Sequence, residues 1–557
     1  MRRAVLRCVS LTLLCYLGTS LGELDDSIRF EEGAAAANIR ALVKSGGSEK
    51  RWIPEANGTG TALFDYNNDG WLDILIIGGS SIETLRGTLA GKLKASPAQN
   101  VFLYKNLRNG RFEDVTASAK LVHPYWATGA NAADYDNDGD LDILITTIGR
   151  DLLFRNHGDG TFGEVAEKAG LDRKISWHTG STFGDYDSDG DLDLYISGYV
   201  SPRVISLTGP PPVCNYRGLS VFCGPKDLPG EPDVLYRNEG DGTFRNVTKQ
   251  AGVSESLPRY GFGAVFYDFD RDNKLDLFVA NDSGPNYLYM NQGDGTFRES
   301  GIDSGVAFGS DGRTQANMGV AVGDYDNDGD ADILTTTFSE DYFPLFEQGI
   351  PGMFEEISFR AGLGQVTVPW LGWSCGFADL DNDGDQDIWL ANGHVYPDAA
   401  SLGGTKYLQP LGVMVNDDAK FRYVPGAAVL GSFRGGASGD LNNDGSIDLV
   451  VVPVDGAPLL LWNRTNASHS WITLDVESQN GREALGVEVR IEACGKKQYA
   501  VMFNGAGYLS RSDSRIHFGL GSCRVISELM IRWPDGKVTQ LTNLPTGRQI
   551  TARRPRV

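Results

Sequence analysis

Seven short segments carry carboxylates at a spacing that suits a hard divalent cation. They are Asp65-YNNDGWLD, Asp134-YDNDGDLD, Asp185-YDSDGDLD, Asp268-FDRDNKLD, Asp324-YDNDGDAD, Asp379-LDNDGDQD and Asp440-LNNDGSID. Side-chain oxygens fall at loop positions one, three, five and nine. In the first four loops these are Asp65, Asn67, Asp69, Asp73; Asp134, Asp136, Asp138, Asp142; Asp185, Asp187, Asp189, Asp193; and Asp268, Asp270, Asp272, Asp276. In the last three they are Asp324, Asp326, Asp328, Asp332; Asp379, Asp381, Asp383, Asp387; and Asp440, Asn442, Asp444, Asp448. Position seven adds a backbone carbonyl, and Gly at position six permits the turn that gathers the oxygens. Crowded hard oxygens of high negative charge select Ca²⁺, whereas Mg²⁺ keeps more of its waters. The reading is up to seven structural Ca²⁺ ions.

Asp, Asn and Gly also make ordinary turns. Seven copies in one register would repel strongly without a cation, which favours metal over simple turns. An EF-hand requires Glu at position twelve and flanking helices. Position twelve here is Ile76, Ile145, Ile196, Val279, Thr335, Leu390 and Val451, so that reading is rejected. Asn273 replaces the expected Gly in loop four; Asn tolerates a left-handed backbone, and the site is expected to survive.

Successive loops start 69, 51, 83, 56, 55 and 61 residues apart, which signals a repeat architecture. Small residues precede the loops (TGANAA, TGSTFG, NMGVAVG, RGGASG) and β-rich apolar runs follow them (ILIT, LYIS, LFVA, LVVV). Several repeats then show a hairpin around Gly-Asp-Gly, as in VLYRNEGDGTFRNV. Four strands per repeat, seven times, predicts an all-β fold: a seven-bladed β-propeller over 30–465, its small-residue strands crowding the central axis. Residues 469–557 follow as a small β domain, with strand-like runs ITLDV, VEVRIEA and ELMIRW between turn signals.

Residues just before the inner strands should gather at one mouth of the axis: Trp126, Trp177, His178, Tyr260, Gln315, Trp373 and Arg434, with His394 directed to the same region. Aromatic faces with a few polar groups suit a sugar or peptide. The competing reading is that they pack the blade tops. None of the six His stands in a zinc-protease spacing, and no nucleophile elbow, P-loop or dinucleotide fingerprint appears. The many carboxylates hide any glycosidase pair. A Ca²⁺-dependent polysaccharide lyase or glycosidase on a propeller scaffold is the alternative to a binding protein.

Arg2, Arg3 and Arg7 precede an apolar stretch from Val9 to Leu17, and Ser20 and Gly22 are small. This reads as a signal peptide over 1–22; the apolar run is short for a membrane span. Export permits disulfides. Cys214 and Cys223 flank a short loop and are expected to pair; Cys494 and Cys523 are candidates for a second bridge; Cys375 is left over as a buried thiol. The net charge of −23 argues against nucleic acid as partner. Asn57, Asn246, Asn281, Asn463 and Asn466 open glycosylation motifs that matter only in a eukaryotic secretory route.

The repeats resemble the FG-GAP/VCBS repeats of integrin α-type propellers. Ala484-LGVEV, Asn504-GAGYLS, His517-FGLG and Trp533-PDG resemble the ASPIC/UnbV domain that accompanies such repeats in the cartilage acidic protein family. The insert PPPVCNYRGLSVFCGP and Asn392-GHVYP resemble its bacterial branch. The resemblance implies secretion, a Ca²⁺-binding propeller and roles in adhesion or extracellular interaction; a glycan or protein is the expected ligand, and no particular reaction follows from the resemblance.

Overall fold

In a computed structural model, the described residues are 28–92, 100–205, 209–226, 228–254, 259–424, 429–465, 468–478 and 483–555. The expected leader, residues 1–22, lies outside them. Each Asp loop joins two neighbouring strands of an antiparallel sheet; five of these sheets are four-stranded, and the second and third repeats join in one eight-stranded sheet where Ser176 and Trp177 pair with Gly149 and Ile148. In the second repeat, Trp126–Ala133 leads through the loop to Asp142–Gly149, then Leu152–Asn156 and Phe162–Glu164. The inner strands Thr61–Phe64, Trp126–Ala133, Ser176–Gly184, Tyr260–Tyr267, Val320–Gly323, Gly372–Ala378 and Phe433–Gly439 touch one another in cyclic order, the last against the first. The ring is a β-propeller. The sheet of the seventh repeat takes its outermost strand from the N-terminal end: Phe30–Glu32 pairs antiparallel with Leu459–Asn463.

The inner strands are rich in Gly because backbones meet there. A Cβ on Gly180 would lie 2.0 Å from the Phe262 carbonyl oxygen, and one on Gly319 2.0 Å from that of Trp373. β-Bulges at Ala127/Gly129, His178/Ser181, Gly261/Ala264, Gly372/Cys375 and Phe433/Gly436 bend these strands around the axis.

The C-terminal unit is a sandwich. Ser470–Glu477 lies between Ile516–Gly521 and Arg548–Arg553; opposite stand Lys496–Val501, Glu488–Ala493, Val525–Arg532 and Val538–Pro545. Ile472, Leu474, Val489, Ile491, Phe518, Leu529, Ile531 and Trp533 fill its core. Disulfides join Cys214 to Cys223 and Cys494 to Cys523, and Cys375 is a buried free thiol.

This domain covers the Asp-loop end of the axis and sends a segment into it. Asn504 Nδ2 donates to the Ala132 carbonyl (2.8 Å), Ala130 N–H to Leu509 O (3.1 Å), and Arg511 N–H to Thr61 O (2.9 Å). Val320 and Gly507 exchange backbone hydrogen bonds. At the far end Tyr508, fully buried, packs on Phe262 and Trp373, and its hydroxyl donates to Asn57 O (3.0 Å). The crowding expected at the axis is real, and part of it comes from residues 504–511.

Candidate metal sites

The loops build their sites from the backbone outward. The position-one carboxylate accepts N–H bonds from positions five and six: Asp138 N at 3.1 Å and Gly139 N at 3.0 Å on Asp134, Asp189 N and Gly190 N at 3.0 Å each on Asp185. Asn273 serves as position six of loop four at φ 67°, its N–H 2.9 Å from Asp268 Oδ2, so the substitution keeps the turn. The position-nine carboxylate ties three strands. Asp142 Oδ2 accepts from Tyr135 N (3.3 Å) and Oδ1 from Asn156 N (2.7 Å), a pattern present in all seven loops.

Positions one, three and nine converge. In loops two to six one oxygen from each lies within 4.8 Å of the others: Asp134, Asp136, Asp142; Asp185, Asp187, Asp193; Asp268, Asp270, Asp276; Asp324, Asp326, Asp332; and Asp379, Asp381, Asp387. Loops one and seven have only two carboxylates at these positions, with Asn67 and Asn442 at position three. The position-five carboxylates, Asp69, Asp138, Asp189, Asp272, Asp328, Asp383 and Asp444, instead accept the position-seven N–H. Asp138 also pairs with Arg155, and Asp272 with Lys274.

The donor set fits a hard cation. Asp136 Oδ1, Asp187 Oδ1, Asp324 Oδ1 and Asn67 Oδ1 are buried and receive no hydrogen bond from the described residues, a costly state for such atoms unless a cation meets them. Burial first, then neighbouring carboxylates, pushes Asp142 and Asp332 up to about 9 and Asp276 to about 8, against backbone N–H bonds that pull down. Asp185 and Asp268 rise to about 6 and Asp324 to about 7 by the same burial and crowding. A divalent ion would remove that repulsion and leave the carboxylates ionised.

Two sets of partners escaped the sequence reading. Each third strand ends in an amide side chain that donates to position eight of its own loop or position two of the preceding blade's loop, in most blades to both. Asn156 Nδ2 reaches Leu141 O (3.1 Å) and Tyr66 O (2.8 Å); Asn106, Asn238, Asn291, Asn416 and Asn463 bridge likewise, and Gln348 reaches Phe269 O. The signal was the Asn before Gly-Asp-Gly, a residue that turn chemistry alone accounts for. The second set stands at position four. Asn68, Asn137, Arg271, Asn327, Asn382 and Asn443 each bond the next loop around the ring.

The aromatic mouth is corrected. The structure does gather Trp126, Trp177, Tyr260 and Trp373 at the end opposite the Asp loops, but as a core under the helices Ile53–Asn57 and Ile82–Leu89, the insert residues Tyr199 and Phe222, and Tyr396. Trp126, Trp177, Trp373 and His394 are at most 2% exposed, and His178 and Gln315 are buried. Tyr260 is partly covered and donates to Leu228 O (2.8 Å). Arg434 is wholly buried, gives hydrogen bonds to the Ala56, Gly393, Phe433 and His394 carbonyls, and stacks 4.2 Å from the Trp373 ring. His394 accepts the Tyr396 N–H and meets Ser339 Oγ; burial and Arg434 lower its pKa to about 4. Burial pulls the His178 pKa down, yet its ion pair with Asp151 outweighs this and the net shift is upward. His517 is also structural, between Thr473 and Asn382 of loop six. Of the glycosylation motifs, Asn57, Asn281 and Asn463 are buried.

Residues 477–557 match the ASPIC and UnbV family, and 65–145, 134–196, 221–279 and 268–335 match the FG-GAP-like repeat. Cartilage acidic protein 1 of Mus musculus is 24% identical over 508 residues, 86% of this chain and 71% of that protein. The Homo sapiens protein is equally similar, with 69% of its length covered. Among solved structures, a rhamnogalacturonan lyase aligns over 93% of this chain and 92% of its own at 13% identity and a TM-score of 0.33, too loose a superposition to bear on activity. The chain thus joins FG-GAP-like repeats to a C-terminal ASPIC and UnbV domain.

Proposed function

We propose that the chain is a secreted Ca²⁺-binding propeller that acts in extracellular binding or adhesion, its metal ions structural. The observation that carries the metal reading is the set of five converging Asp triads, three of which hold a buried carboxylate oxygen without a donor. Each ion would join the first two strands of a blade at the face where the C-terminal domain rests. Support for an extracellular place comes from the basic and apolar N-terminal residues, two disulfides and similarity to a protein named for cartilage. The partner class is an extracellular glycan or protein.

Calcium content and thermal melting of the purified chain, before and after EDTA, test the metal reading. At least five Ca²⁺ per chain and a marked fall in Tm on chelation are expected, since a ligand held by the native state alone stabilises it. Unchanged melting after verified metal removal would overturn it.

A further inference from the structure

Among the described residues, the ring of loop-to-loop bonds has one break. Position four of loop three is Ser188, which makes no such bond, so loop three does not reach loop four. Its backbone shares the left-handed conformation of its six counterparts, φ 60° against 54–62°; only the side chain is too short. At the same joint Asn273 of loop four turns its Oδ1 to Arg532 of the C-terminal domain.

A cavity of about 310 Å³ occupies this break. Asp185, Ser188 and Asn273 line it from the propeller, and Glu483, Trp533 and Arg554 from the domain. Among the described residues, two of its groups are half-used. Glu483 Oε1 takes Arg511 and Ser514, while Oε2 is buried with no donor. Arg554 Nη2 pairs with Asp535, while Nε is buried with no acceptor. A hydroxyl can donate to the first and accept from the second. Apolar Leu275 and Leu485, only partly buried, also line the cavity and offer surface to the C–H face of a sugar ring. With loops three and four taken as ion-filled, Glu483, Glu488 and Asp535 still outnumber Arg532 and Arg554 in the lining, which disfavours an anion. The space is many times the roughly 10–15 Å³ that a single water needs, room enough for one small polar ring.

We propose that this seam between loops three and four and the C-terminal domain binds a neutral saccharide residue. The inference deepens the extracellular-binding reading and rests on it for the source of the sugar. It differs from the axis-mouth expectation in using a cavity that exists.

The test is calorimetric titration of the full, Ca²⁺-supplied chain with methyl glycosides of glucose, galactose, mannose and N-acetylglucosamine, with methyl glucuronide as the anionic comparison. At least one neutral glycoside is expected to bind more tightly than the glucuronide. Ser188→Asn installs the side chain used at five other joints, without backbone strain, and should weaken binding roughly tenfold or more while Tm holds or rises. Glu483→Gln should weaken it while the Ser514 contact can persist. No heat from any neutral glycoside at millimolar concentration, preference for the glucuronide, or unchanged affinity in Ser188→Asn would overturn the proposal. Calcium content and melting are read on the same samples. A chain that holds no Ca²⁺ yet binds sugar, and loses it in Ser188→Asn, would refute the metal reading and uphold this one.

Discussion

Asp136 and Asp142 share a loop and a charge but answer to different neighbours. The oxygens of Asp142 accept backbone N–H groups from the loop at Tyr135 and from the third strand at Asn156, whereas Asp136 keeps one buried oxygen with no donor among the described residues. Asp142→Asn should therefore lower stability with or without metal, by about 1–3 kcal/mol, since an amide cannot accept at both atoms. Asp136→Asn should lower Tm only in Ca²⁺, and leave it equal or higher in EDTA, where one repelling charge is gone; urea titrations in both buffers separate the two. The convergence of carboxylates at positions one, three and nine was foreshadowed by their fixed offsets, since carboxylates so repeated repel one another unless a cation gathers them. The amide ties were not, because an Asn before Gly reads as turn chemistry. The histidines show the same limit. His394 and His123 stay neutral in the fold, burial lowering each to about 4 from an ordinary value near 6.5. The unfolded chain thus binds protons first as pH falls, and stability drains away between about pH 6.5 and 4, by roughly 3 kcal/mol for each. His394→Gln should flatten the acid limb of a Tm-against-pH profile; an unchanged limb would show that another group sets it.

At the scale of elements, the segment 504–511 belongs to one domain by sequence and to the other by packing. Its Asn-Gly-Ala-Gly-Tyr run reads locally as a turn, and nothing within it announces partners more than three hundred residues upstream, such as Ala132 and Thr182. The small residues of the inner strands did announce crowding. The aromatics beside them were ambiguous, since a platform for a ligand and a lid for a core use the same side chains. Tyr508→Ala removes the ring that sits on Phe262 and Trp373 and should cost about 3–5 kcal/mol, with a shift in tryptophan emission. At Gly60 an added Cβ would stand 1.6 Å from Leu509 O, so Gly60→Ala should loosen the same segment from the opposite side, read as faster hydrogen exchange at Ala130 and Arg511.

At the scale of the molecule, the β-propeller was legible from the repeat period, because a lone four-stranded unit cannot cover both its faces. Where the ring closes was not, since Phe30–Glu32 carries no loop and no repeat signature. Without residues 28–34, Leu459–Asn463 would be left as an open edge. Such a variant should associate with rising concentration, visible by light scattering, as unpaired edges do.

That closure also sets an order of events in time. The first strand to leave the ribosome finds its partner only when the last blade has been made, since Arg29 and Thr465 meet across 436 positions. Tyr508 reaches the axis later still. Separate blades can form as the chain emerges, but the ring cannot close before Leu459–Asn463 has been made. On the secreted reading proposed above, this delay keeps the polypeptide open and threadable until the last blade is made.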